Sequence, residues 1–238
     1  MVLTNLFYII MGVFDALAIL MFPLALYMLP IRENRYKIIL FAVVISLVSF
    51  LMRIILNIPK LDLPLQFALF SIFFRVGLKI KLHLSAFILG VAISAYATIQ
   101  MAIFYVYNFF DIMQLNVLKE NATLQVFLLQ GTSILVIYLI AALLKLYVTG
   151  FSFIVAPPHD FIWREDYNTE ENKLVLISTM FSMVTISLGV ILLYYLNPLA
   201  ILLVSIFTFG LSYIFSRRSD EEDARKAIEA YRERIKKG

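Results

Sequence analysis

Seven apolar segments, each close to the length that crosses a lipid bilayer, follow one another along this chain with mostly short charged connectors between them. A spanning helix needs about 20 apolar residues. The candidates are Leu6–Leu29, Tyr36–Ile58, Leu63–Leu78, Leu84–Tyr107, Leu124–Tyr147, Leu174–Leu196 and Leu199–Phe215. The third and seventh are the shortest, and local bilayer thinning accommodates such segments. The apolar runs are continuous and lack period-2 alternation, which argues against a membrane β-barrel. Hydrophobic residues make up 62% of the 238 and charged residues only 15%. No single water-soluble core of that size hides so much apolar surface, so the expected solvent is lipid.

Connector charges predict orientation. Arg32, Arg35 and Lys37 separate the first two segments. Arg75 lies just inside the third, which Lys79 and Lys81 follow; Lys145 and Arg164 flank the fifth connection, and Lys173 opens the sixth segment. Arg217 and Arg218 follow the seventh. The alternate connectors carry Lys60 and Lys119, each offset by an acid, Asp62 or Glu120. By the positive-inside rule the N-terminus is outside and the tail cytoplasmic. The first segment has no basic n-region or cleavage site, so it is expected to be a retained helix.

The expected fold is therefore all-α: a polytopic membrane protein of seven transmembrane helices over residues 1–216, then a short amphipathic cytoplasmic tail helix over 217–238. Ser219 and Glu222 read as a capping box that opens this tail helix. Glu221–Arg225 and Glu222–Lys226 read as i,i+4 pairs. Ala224, Ile228, Tyr231 and Ile235 follow a coiled-coil seam over about two heptads. Two long connectors, Asn108–Thr123 and Val148–Asn172, are rich in aromatic and apolar residues and are expected at the lipid interface.

Asp15 is the sharpest candidate site residue, because an acid near the bilayer centre costs roughly 3 kcal/mol and so calls for a partner. Arg53 and Arg75 are the expected cations. Three readings of Asp15 stand open: a structural ion pair, a ligand or signalling site, and a proton or ion path. Gln66, Gln100 and Gln130 also fall inside apolar segments, where amides act as interhelical glue or hold a ligand. Ala86, Gly90, Ser94 and Thr98, four apart, read as a close-packing stripe.

Catalytic chemistry finds little support. The chain has no cysteine, which removes disulfides and thiolate chemistry. Its two histidines, His83 and His159, fall in separate connectors without metal-ligand spacing. Phosphate-loop, zinc-protease and serine-hydrolase motifs are missing. The expectation is a non-enzyme without metal or cofactor. The net charge of +4 is spread along the chain, which suits membrane orientation rather than nucleic-acid binding.

The layout resembles the membrane sensor region of peptide-quorum-sensing histidine kinases of the accessory-gene-regulator type. The local texture that carries the likeness is Arg32-Glu-Asn-Arg-Tyr-Lys after the first segment, and Ser49-Phe-Leu-Met-Arg53 followed by Pro59 and Pro64. The resemblance covers the membrane portion alone; the phosphoacceptor helix and ATP-binding boxes of that family are missing here. It implies a sensor module in a bacterial cytoplasmic membrane that detects a peptide or lipophilic ligand and signals through the tail. The alternatives are a subunit of a larger membrane complex, with the tail docking a protein partner or a second copy, and then a small transporter.

Overall fold

The computed structural model describes residues 2–120, 122–154 and 197–237, with scattered residues between 173 and 195. Among the described residues every regular element is helical. They are α1 (Val2–Leu26), α2 (Arg35–Phe50) continued by a π-helical turn (Leu51–Ile55), α3 (Pro59–Val76), α4 (Leu82–Phe109), a 3-10 turn (Leu115–Lys119), α5 (Leu124–Leu146) and α6 (Pro198–Lys237).

Five helical stretches among the described residues are long and apolar enough to span a membrane: Leu3–Leu26, Arg35–Ile55, Leu82–Phe109, Leu124–Leu146 and Pro198–Glu229. They correspond to the first, second, fourth, fifth and seventh predicted segments. The third predicted segment is the 18-residue α3. It carries Lys60, Asp62 and Arg75 within those 18 residues, which leaves no spanning-length stretch of low charge. The sixth, Leu174–Leu196, is described only at scattered residues.

α4 is the hub, in contact with α1, α3, α5 and α6. It bears no Asp, Glu, Lys or Arg, only a histidine in its first turn, and it is apolar around its circumference, as a helix surrounded by others must be. His83, expected in a connector, is that histidine and is buried. Large, fully buried side chains gather where α1 ends and α4 begins: Leu20, Leu24, Tyr27, Phe74, Phe87 and Ile88. A smaller cluster of Phe104, Met113, Val117 and Leu129 packs at the opposite end, around the 3-10 turn. Large apolar side chains such as Leu40, Leu135 and Leu139 face outward. Such a surface suits lipid, which has no water to exclude them.

Five helix ends share one device. Met28, Asn57, Lys79, Asp111 and Val148 adopt φ of 51°, 54°, 58°, 55° and 51°. After each one the chain turns back, and the next N–H donates into the last helical turn: Leu29 to Leu24 O, Ile58 to Met52 O, Ile80 to Phe74 O, Ile112 to Tyr107 O and Thr149 to Leu144 O. This is the left-handed cap that satisfies otherwise orphaned carbonyls.

Three expectations are corrected. First, Ser219 is not a helix N-cap: α6 runs unbroken through it for 40 residues, and Ser219 is buried. Ion pairs there include Arg217–Glu221 at 2.9 Å, Arg218–Glu222 at 3.4 Å and Arg225–Glu229 at 3.9 Å, so Glu221 and Glu222 turn toward the arginines before them. Forty helical residues extend about 60 Å, twice a hydrocarbon core, so the far half of α6 projects beyond any bilayer the near half crosses. Second, Phe151 and Phe153 do not lie on a lipid surface but are buried among Tyr27, Phe87 and Tyr213, because Phe151 N–H donates to Leu26 O at 2.7 Å and draws the connector inward. The rest of that connector, including His159 and Trp163, lies outside the described residues. Third, Met113 and Val117 of the other long connector are buried, whereas Phe109 and Phe110 remain exposed.

Candidate functional site

Small and polar residues on the inner faces of the helices leave a cavity of about 530 Å³. Along α1 its wall is Tyr8, Gly12, Asp15 and Ile19, at helical spacings of four, three and four. α2 and its π-helical turn contribute Ser46, Ser49 and Arg53, α3 contributes Gln66 and Phe70, and α4 contributes Gly90, Ser94, Ala97 and Gln100. α5 supplies Gln130, and α6 supplies Ile201, Val204 and Ser205. The mouth is marked by exposed Lys60, Lys119 and Glu120. The size and the mix of apolar wall with a few polar groups match small-ligand pockets in general.

Two polar layers cross the cavity. The layer nearer the mouth centres on Asp62, which is completely buried in the first turn of α3. A helix N-terminus favours an acid. Asp62 Oδ2 accepts from Ser49 Oγ at 2.9 Å and from Arg53 Nε, and its Oδ1 accepts from Gln66 Nε2 at 2.9 Å. Since Ser49 gives its one hydroxyl proton to a carboxylate, the Tyr8 hydroxyl donates to Ser49 Oγ, 3.2 Å away. Arg53 lies within the π-helical turn, a kind of irregularity often found at functional sites.

The deeper layer is Asp15. Tyr8 and Asp15 are seven residues apart on one face of α1, which places Asp15 about 10 Å further in. Its Oδ1 accepts from the Tyr96 hydroxyl of α4. Beside it the Tyr138 hydroxyl of α5 donates to Phe14 O at 3.3 Å.

The expected pairing of Asp15 with Arg53 or Arg75 is thus corrected. A tyrosine holds Asp15, and Arg53 is turned to Asp62, whose burial makes a cationic partner more necessary there. Arg75 is half-buried near the opposite end of α3 and does not line the cavity. Gln66, Gln100 and Gln130 all line it, on three different helices. Sequence reading missed Asp62, Ser49, Tyr8 and Tyr96. The spacing of Tyr8, Gly12 and Asp15 was the signal available for Tyr8; Asp62 was hidden by its neighbour Lys60.

The close-packing stripe on α4 divides its work. Gly90 and Ser94 line the cavity, while Thr98 Oγ1 lies 3.0 Å from Ser205 Oγ on α6. α6 answers with its own small polar seam, in which Ser205, Thr208, Ser212, Ser216 and Ser219 are all buried. At the other end of this seam Tyr27 and Ser216 hydrogen-bond at 2.9 Å. One turn further on, Asp220 Oδ1 accepts from Ser152 N at 2.6 Å, Ser152 Oγ at 2.9 Å and Phe153 N at 3.1 Å. The tail residues Ala224, Ile228 and Ile235 are exposed. With Tyr231 they occupy a face roughly 130° around α6 from the buried seam, at 100° per residue.

Among the described residues no group of three or more His, Asp and Glu is placed to hold a metal. No protein-family model, curated protein or solved structure matches the chain.

Proposed function

We propose that this chain is a non-catalytic membrane sensor module: a peptide or lipophilic ligand enters the cavity from outside the cell, and the occupied state reaches the cytoplasm through α6. The observation that carries this reading is that one continuous helix forms part of the cavity wall at Ile201, Val204 and Ser205 and then runs to Lys237. On this reading the chain crosses a bacterial cytoplasmic membrane seven times, with the Lys60 and Lys119 end outside and the arginine-rich end of α6 inside. Such a module works by favouring one of two helix arrangements, since a ligand shifts an equilibrium only by its differential affinity for the two states.

The test needs no ligand. Ala97→Trp fills the cavity from α4, and amide hydrogen exchange is read at the other end of α6. Altered exchange at Ser152, Phe153 and residues 216–222, in a variant that still folds, is the expected result. Unchanged exchange there overturns the reading.

A second reading, a subunit of a larger membrane complex, is favoured by the exposed Ala224, Ile228 and Ile235 on the projecting half of α6. A stoichiometric partner that copurifies from native membranes, and is lost on Ile228→Asp, supports it.

A further inference from the structure

Asp15 lines the cavity and forms no ion pair among the described residues. Arg53, the guanidinium on the deep wall, pairs instead with Asp62, a buried acid that is not part of the lining. Arg53 Nε is taken by Asp62. Asp15 is left with the Tyr96 hydroxyl, a neutral donor, while a carboxylate offers about four acceptor positions. Asp15 also lines the cavity rather than being sealed behind its wall. A membrane interior penalises a carboxylate without a counter-charge, and the penalty is removed by a cation that enters with the ligand. Lys60 and Lys119 are poor substitutes: both are exposed at the mouth, and Asp15 lies about 10 Å deeper than the Tyr8 layer, beyond the roughly 8 Å over which ionic screening acts.

We infer that the cavity takes a ligand bearing a single ammonium group on an apolar body, the ammonium seated against Asp15 beside Tyr96 and the body lying along Phe70, Ile93 and Ile201. This inference rests on the cavity being a binding site, as in the reading above. It excludes anionic ligands from the deep layer. The amides of Gln66, Gln100 and Gln130 remain available for the polar groups of a peptide.

The test uses the full chain in phosphatidylcholine nanodiscs and calorimetric titration with four probes: Leu-Phe-Leu amide, its N-acetylated form, n-octylamine and 1-octanol. Wild type is expected to bind at least one amine ten-fold or more tighter than its uncharged counterpart. Asp15→Asn is expected to erase that preference, and Asp15→Glu to retain it. Preference for the peptide amine alone identifies a peptide ligand, and preference for octylamine alone identifies a lipophilic amine. Equal binding of amine and neutral probes by wild type overturns the inference while leaving the cavity as a binding site. An amine preference that survives in folded Asp15→Asn overturns it too, as does failure of all four probes to bind. The Ala97→Trp exchange experiment reports separately on whether the sensor reading stands.

Discussion

The Tyr27 hydroxyl donates to Ser216 Oγ across 2.9 Å, joining the end of α1 to the middle of α6 although the two residues are 189 positions apart. Ser216 gives its own proton to Ser212 O at 2.9 Å, so the donor in the pair is the tyrosine. The bond sits within rings from three parts of the chain, with Tyr27 beside Phe87, Phe151 and Phe153. This junction lies at the end opposite the cavity mouth. It ties α6 to the end of α1, and on the proposed sensor reading it is where motion of the cavity wall would be passed on.

Asp220 is the polar part of the same junction. Removing it by Asp220→Ala takes away one carboxylate oxygen that accepts three hydrogen bonds. Hydrogen bonds to charged groups contribute about 1.5–3 kcal/mol each, and partial exposure lowers the total, so a loss of about 1–3 kcal/mol is expected. Thermal unfolding measures the loss, and faster amide exchange at Ser152 and Phe153 locates it.

Gly150 holds the connector against α1. A Cβ there would stand 2.5 Å from Leu26 O and 3.3 Å from Ala25 O, both backbone atoms with little freedom to move. Gly150→Ala is therefore expected to cost about 1–3 kcal/mol, the usual range for overpacking. The loss should appear as a lower melting temperature and as weakened protection of the Phe151 amide, whose acceptor is Leu26 O.

Arg53 and Asp62 form an ion pair with one partner wholly buried and the other about one-third exposed. Leaving one buried partner alone typically costs about 3–5 kcal/mol, whereas replacing both by apolar residues is often close to neutral. Arg53→Met is expected to fall in the lower part of that range because Arg53 retains some exposure. The double variant Arg53→Met with Asp62→Leu should recover most of the loss. A double-mutant cycle on melting temperature checks this, and additive losses would contradict it.

Val148 is a β-branched residue in the left-handed region, at φ 51°, and its side chain is 74% exposed. Val148→Gly relieves that strain and gives up little packing, so about 1 kcal/mol of stabilisation is expected. A raised unfolding midpoint in detergent is the measurement.

Helix interiors were legible in the sequence because continuous apolar runs admit few alternatives. Their ends were less so. The residues that turn the chain, Met28, Asn57, Lys79, Asp111 and Val148, include no glycine, the residue that ordinarily announces a left-handed cap. The second predicted segment consequently extends to Ile58, three residues past the spanning stretch that ends at Ile55. The tail misled for a related reason: Ser219 with Glu222 satisfies a local capping pattern, but Ser219 continues a buried serine seam whose other members lie on the apolar half of α6. The cavity was half legible. Asp15 and the three glutamines stood out as polar residues in apolar runs. Their partners did not, because Tyr8 and Tyr96 look like ordinary membrane aromatics until the fold aims their hydroxyls at an acceptor.

The account depends on the cavity mouth and the charged end of α6 lying on opposite faces of a membrane. Because the chain has no cysteine, a single introduced thiol reports one position without background. Lys119→Cys and Arg225→Cys would each be expressed in the full chain and exposed in intact cells to a membrane-impermeant maleimide. The account predicts labelling at position 119 in intact cells, and labelling at 225 only after the membrane is permeabilised. Labelling of both positions from the same side of an intact membrane would contradict it.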